Sequence, residues 1–232
     1  MVTPQTPRVT RHFEEELEHL KRRLLVMAGA VEEQVRRVVQ SLVDRDHDLA
    51  QQVLNGDDPI NRLQIEIDER CFRLLALYQP VATDLRMVVS SVKINSELER
   101  VGDFAVNIAE ATLRYLDQPA VKPLIDIPRM GDIAQKMLRD SLNAFVTQDV
   151  ALAQEVLERD DALDRLKDQV FRELLSFMLA NSRLTESALD LILTSRHLER
   201  VGDHATNIAE EAIFIVSGRD VRHHGLDGGA TE

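Results

Sequence analysis

A thirteen-residue stretch occurs twice in this chain, as Leu98-Glu-Arg-Val-Gly-Asp-Phe-Ala-Val-Asn-Ile-Ala-Glu110 and as Leu198-Glu-Arg-Val-Gly-Asp-His-Ala-Thr-Asn-Ile-Ala-Glu210. Eleven positions are identical at an offset of 100 residues. A second block, Asp46 to Leu63, matches Asp149 to Leu166 at an offset of 103, with ten of eighteen positions identical. The duplication therefore covers most of each half and constrains the chain to two like units. Duplicated halves normally keep apolar pattern and lose polar identity, yet Glu, Arg, Asp and Asn have all stayed. Packing alone does not require that.

At about 100° per residue, Leu98, Val101, Ala105 and Ile108 share one helical face, and Leu198, Val201, Ala205 and Ile208 repeat it. This stripe is the expected core face. Glu99, Asp103 and Asn107 step by four residues and stack over successive turns, with Glu110 nearly in line. Gly102 and Gly202 fall mid-helix, where glycine costs ~1 kcal/mol relative to alanine. A neighbour or a bulky ligand must approach closely there.

In chain order the periodicity predicts a long helix from Thr10, its expected N-cap, to about Leu42, and a short one over Leu49 to Leu54 stopped by Asn55-Gly56. Helices over 57–78 and 83–116 follow, separated by Gln79-Pro80. Pro119, Pro123 and Pro128 mark a linker over 119–128, because closely spaced prolines remove helical hydrogen bonds. The pattern then restarts, with helices expected at 129–147, 160–180 and 185–217 and a Gly-rich tail, 218–232, expected to be disordered. The fold class is all-α: two tandem, pseudo-symmetric three-helix bundles, 1–118 and 129–217, built from six principal helices.

Absence of Trp and an aromatic content of 4% also favour helices over sheets. Lys+Arg of 28 against Asp+Glu of 40 gives a formal charge of −12, which repels nucleic acid and anionic lipid but suits metal ions or a basic protein partner. Cys71 is the single cysteine, so no intrachain disulfide can form. Residues Met1 to Pro7 carry no apolar signal run, and no stretch approaches membrane-spanning length. A soluble protein of a reducing compartment is expected.

Helices joined by short turns are antiparallel neighbours, which pairs residues distant in sequence. A turn near residue 81 brings Asp57, Asp58 and Asn61 beside Glu99, Asp103 and Asn107. A turn near 183 brings Asp160, Asp161 and Asp164 beside Glu199, Asp203 and Asn207. Carboxylates gathered in this way repel one another and take up protons unless a cation joins them. All-oxygen donors favour hard ions such as magnesium, manganese or ferric iron. His204, whose counterpart is Phe104, reads as a half-buried flank position or an extra ligand, while Arg100 and Arg200 neutralise the stripe, bind a partner or are solvated. Chelation and acid are both expected to lower thermal stability by releasing the ion.

The duplicated Leu-Glu-Arg-Val-Gly-Asp-x-Ala-x-Asn-Ile, the Gln79-Pro80-x-Ala82-x-Asp84-Leu85-Arg86 turn, Phe13-x-x-Glu16-Leu17 and Met27-x-Gly29-x-Val31-Glu32 together resemble the PhoU family, the phosphate-specific transport system accessory proteins. The resemblance spans residues 10 to 217. It implies two three-helix bundles side by side and a cytoplasmic, non-enzymatic regulator held at the inner face of the membrane through its partners. Those partners would be the ATPase subunit of a phosphate ABC transporter and a phosphate-sensing membrane histidine kinase. The implied role is to restrain phosphate uptake and the phosphate-starvation response when phosphate is plentiful. In some members of the family, Glu/Asp-x-x-x-Asp pairs hold multinuclear iron or zinc clusters. The pattern lands on Glu99 and Asp103 with Asp57 and Asn61, and on Glu199 and Asp203 with Asp160 and Asp164. Asn61 is the weaker position, and the Gln-Pro turn has no second copy, since Asn181 to Glu186 replaces it.

Rival readings are a metal-free adaptor docking basic partners, a di-iron carboxylate oxidase, and a phosphate sensor. The oxidase normally needs Glu-x-x-His on two helices, whereas both motifs here read Glu-x-x-Gly. In a phosphate sensor the anion would have to reach the protein through bound metal, because the sequence has no Gly-rich loop or convergent Arg/Lys cluster. A homodimer is compatible with all of them.

Overall fold

The computed structural model describes residues 7–221, and the described residues form seven α-helices and one 3-10 turn. The helices are α1 (Pro7–Asp44), α2 (His47–Leu54), α3 (Asp58–Tyr78), α4 (Ala82–Leu116), α5 (Asp126–Thr147), α6 (Val150–Ala180) and α7 (Thr185–Ser217), with the turn at Ser182–Leu184. Six are principal and α2 is a short appendage. Helix α1 already runs at Pro7, so Thr10 does not start it. Of the tail, only 218–221 fall within the described residues.

The periodic apolar stripes become the core. Leu20, Leu24, Met27, Val31, Val35, Val38 and Leu42 of α1 are fully buried, as are Leu98, Val101, Ala105 and Ile108 of α4 and their α7 counterparts Leu198, Val201, Ala205 and Ile208. One contiguous apolar cluster runs through both bundles. At its centre α4 and α7 lie antiparallel: Arg86 bonds Ile215, Ser90 bonds Glu211, Arg114 bonds Asp190 and Gln118 bonds Ser187. The two copies of the motif therefore cross each other about an internal pseudo-twofold near Val101 and Val201. Arg86 donates to the Ile215 carbonyl at 2.9 Å and so holds the end of α7, a use its missing second copy could not have.

The repeats begin alike. Arg45 and Gln148 both take positive φ, 54° and 56°, and the following aspartates cap the next helix, Asp46 accepting from Leu49 N at 2.9 Å and Asp149 from Leu152 N at 3.0 Å. They then diverge. Pro59 lacks an amide hydrogen and its ring opposes continuation from Asn55-Gly56, so α2 and α3 are separate, and Gln34 Nε2 donates to the freed Gly56 carbonyl at 2.6 Å. The second repeat has Ala162 at that place and no glycine, so α6 runs unbroken from Val150 instead of starting near 160. Helix α5 likewise starts at Asp126, inside the expected linker, because Pro128 sits in its first turn, where no intrahelical amide bond is lost. The connection before it is anchored by Arg45, which donates to the Leu116 and Gln118 carbonyls at 2.7 and 3.1 Å.

The neighbouring helix accounts for one motif glycine, Gly202, and not for Gly102. A Cβ on Gly102 would meet Ile60 Cδ1 at 3.4 Å, an ordinary contact, whereas one on Gly202 would overlap the buried Leu163 side chain. Gly102→Ala should therefore be neutral or stabilising by up to ~1 kcal/mol through helix propensity. Gly202→Ala should come out about 1–3 kcal/mol less favourable than its twin because of overpacking. Urea unfolding of the two variants measures the difference, and equal values would contradict the closer α6 approach.

Candidate metal site

Asp57 stands at the amino end of α3 without capping it. Its Oδ2 accepts from Asn61 Nδ2 at 2.6 Å, and its Oδ1 is buried without a hydrogen-bond partner. That oxygen lies 3.6 Å from where a Gly102 Cβ would be, within ordinary contact distance. Burial, then Asp103 and Asp57, raise the Glu99 carboxyl above its ordinary value against the pull of Arg100, and burial with Asp57 raises Asp103 likewise. Asp57, Asn61, Glu99 and Asp103 are thus one electrostatically coupled group, with one orphaned oxygen and mutual repulsion that a cation would relieve.

The second repeat gathers more acid. Burial, followed by Asp203, Asp164, Glu199 and Asp161, pushes Asp160 up to about 6. Asp203 is raised by burial and by Glu199 and Asp164. Glu199 Oε2 is buried with no hydrogen-bond partner. This group also contains a cation that the sequence reading passed over. Lys167 Nζ donates to Asp164 Oδ1 and to Glu199 Oε1, each at 3.1 Å. Burial works against its charge, but these bonds prevail and push the ammonium up to about 12. Positions 160, 164 and 167 share one face of α6, a spacing that makes the lysine findable from sequence.

Asn207 belongs elsewhere. It donates to Glu97 Oε2 at 2.9 Å, across the interface with α4, and His204 Nδ1 pairs with the same oxygen. Each four-residue step along a helix turns about 40° past a full turn. Two steps therefore carry Asn207 off the Glu199–Asp203 row and onto the neighbouring helix. Asn107 holds the matching place on α4, past Phe104, whose ring packs on His197 at 5.7 Å. His204 is accordingly an interface residue, paired with Glu97. Its Glu97 partner escaped notice because position 97 lies just outside the duplicated stretch and its counterpart is His197. Burial tends to raise Glu97, but the bonds from His204 and Asn207 prevail and lower it.

A groove of about 380 Å³ between α6 and α7 is lined by Lys167, Phe171, Ile192, Arg196, Glu199 and Arg200 among others. A basic cluster absent from the linear sequence thus forms in the fold. Lys167 and Arg200 are nevertheless committed to acids, Arg200 Nη1 lying 3.3 Å from Asp203 Oδ2. Cys71 is buried, its thiol pushed up to about 12 by burial and Asp68, and contributes no soft ligand. Among the described residues, no three His, Cys, Asp or Glu side chains stand ready to hold an ion as placed.

The PhoU domain, as a family model, matches residues 24–112 and again 127–212, once per bundle. The chain belongs to the PhoU family. It is 40% identical over 222 residues to a Pseudomonas aeruginosa protein named phosphate-specific transport system accessory protein PhoU homolog, covering 95% of this chain and 92% of that one. An Aquifex aeolicus protein of the same description is 42% identical over 208 residues, covering 90% of this chain and 94% of the relative. The crystal structure of PhoU from Pseudomonas aeruginosa superposes with a TM-score of 0.86 at 40% identity, over 89% of this chain and all of the other. The Pseudomonas aeruginosa structure thus shares the overall fold of this chain.

Proposed function

We propose that this chain is a cytoplasmic regulator without catalytic activity of its own, restraining a phosphate ABC transporter and a phosphate-starvation two-component response when phosphate is abundant. The observation that carries the reading is the PhoU domain present twice, together with relatives along nearly the whole chain that are named as transport accessory proteins. No helix among the described residues is long and apolar enough to cross a membrane, so contact with the transporter ATPase and the membrane kinase would be made by the surface. Large apolar side chains are exposed where such contacts could form: Phe72, Leu77, Val81 and Leu85 at the α3–α4 hairpin, and Phe171, Leu175, Leu179 and Leu189 at the α6–α7 hairpin.

A cation bound by the acidic rows supplies positive charge that cancels carboxylate repulsion and holds α3 against α4 or α6 against α7. The orphaned Asp57 Oδ1 supports this part of the reading, and the all-oxygen donor set around it suits manganese, magnesium or ferric iron. Iron or zinc clusters on the same acids belong to the same proposal.

Deleting the gene should derepress phosphate uptake in phosphate-rich medium, and expressing this chain should restore repression. Normal repression in the deletion strain would overturn the regulatory reading. Co-purification with the transporter ATPase or the kinase checks the partners.

A further inference from the structure

The two acidic clusters are duplicates in sequence and unequal in charge. In the first, Asp57, Glu99 and Asp103 have no lysine or arginine in an ion pair among the described residues, and Arg100 acts on them only through space. In the second, Asp160, Asp164, Glu199 and Asp203 are met by Lys167, 3.1 Å from both Asp164 and Glu199 and 3.8 Å from Asp168, and by Arg200, 3.3 Å from Asp203. At the offset of 103, Lys167 corresponds to Gln64, a neutral residue. The first cluster therefore has three carboxylates with no cation in contact, the second four carboxylates with two.

We infer that Lys167 is the built-in counter-ion of the second cluster, so that a divalent cation binds the first cluster and is kept out of the second. The ammonium sits between the α6 and α7 rows, where a shared ion would have to bridge them. A divalent ion arriving there meets like charge at short range in a partly buried setting, where Coulomb repulsion is weakly screened. Displacing the ammonium would also break two charge-assisted hydrogen bonds. In the first cluster Gln64 is half-buried and carries no charge, and its backbone carbonyl accepts from Asn95 Nδ2 at 2.9 Å. The apparently poorer ligand set, with Asn61 in place of Asp164, is thus the more receptive one. Duplicated motifs serve different ends: one leaves room for an exchangeable ion, the other is closed by the Lys167 ammonium.

The inference rests on the metal-binding reading above, and Mn²⁺ titration of the chelator-stripped full chain tests both. Wild type is expected to bind one Mn²⁺ per chain, lost in Asp103→Asn and retained in Asp203→Asn. Lys167→Gln is expected to bind two, the added ion being lost again in Lys167→Gln with Asp203→Asn. The reciprocal Gln64→Lys is expected to bind none, which keeps the test informative should Lys167→Gln fail to fold by circular dichroism. Two ions in wild type, or one in Lys167→Gln with its helices intact, would overturn the counter-ion role and leave metal binding standing. No Mn²⁺ bound by wild type or Lys167→Gln would overturn the metal reading itself.

Discussion

Leu198→Ala is expected to cost about 2–5 kcal/mol of unfolding free energy, while Asp203→Asn, five residues along the same helix, should change it by no more than about 0.5 kcal/mol. Leu198 is fully buried in the crossing of α4 and α7, so its truncation leaves a cavity that surrounding helices cannot close without moving. Asp203 is half-buried on the opposite side, with its carboxyl raised by burial and by Glu199, so removing its charge relieves repulsion and compensates for the lost contact with Arg200. At about 2–4 °C per kcal/mol for a chain of this size, thermal melting separates the two variants clearly. The same contrast should hold between Leu98→Ala and Asp103→Asn. If the aspartate variants fall as far as the leucine ones, the acidic row is structural and its retention in both repeats needs no ligand.

Manganese at a hundredfold excess over its dissociation constant should stabilise the protein by about 2.7 kcal/mol at pH 7 relative to the chelated form, several degrees in melting temperature. The double variant Asp103→Asn with Asp203→Asn should lose that difference and keep its helices. The pH dependence has opposite signs in the two forms. Glu99 and Asp103 of the first cluster are raised above their ordinary values, so in the chelated protein the folded state holds protons there more tightly than the unfolded state. These groups cost stability at pH 7 and cease to do so as pH falls through their raised carboxyl range. The chelated protein thus gains from them on acidification, whereas the loaded protein loses its ion. Melting curves with and without manganese should converge between pH 7 and pH 4. A gap that is absent at pH 7, or that widens on acidification, would count against an ion on these carboxylates.

What was legible in the linear chain was whatever depends on local periodicity. Helical spacing marked Leu98, Val101, Ala105 and Ile108 as core, and all four are fully buried. Steps of four placed Glu99 with Asp103, and the antiparallel return of α3 against α4 followed from the short turn at Gln79-Pro80. The duplication announced two like bundles because each repeat carries its own copy of those local signals. Its boundaries were harder to read: the break between α2 and α3 depends on Gly56 and Pro59, and their absence in the second repeat lets α6 begin at Val150.

What neither periodicity nor repetition contains is the rotation of one helix against another, and there the tertiary structure decided. The 40° drift per four residues is invisible until α4 lies against α7, when it sends Asn207 and His204 to Glu97 and away from the Glu199–Asp203 row. The pairs that lock the two repeats together through buried Glu211 and Asp190, Glu211 with Ser90 and Lys93 and Asp190 with Arg114, join residues more than 70 positions apart whose counterparts do not match. Charge balance was decided in the same way. From sequence the second acidic row looks the better cation site, but packing of α6 on α7 brings Lys167 within 3.1 Å of Glu199, and electrostatic neutrality depends on distances that only the assembled helices set.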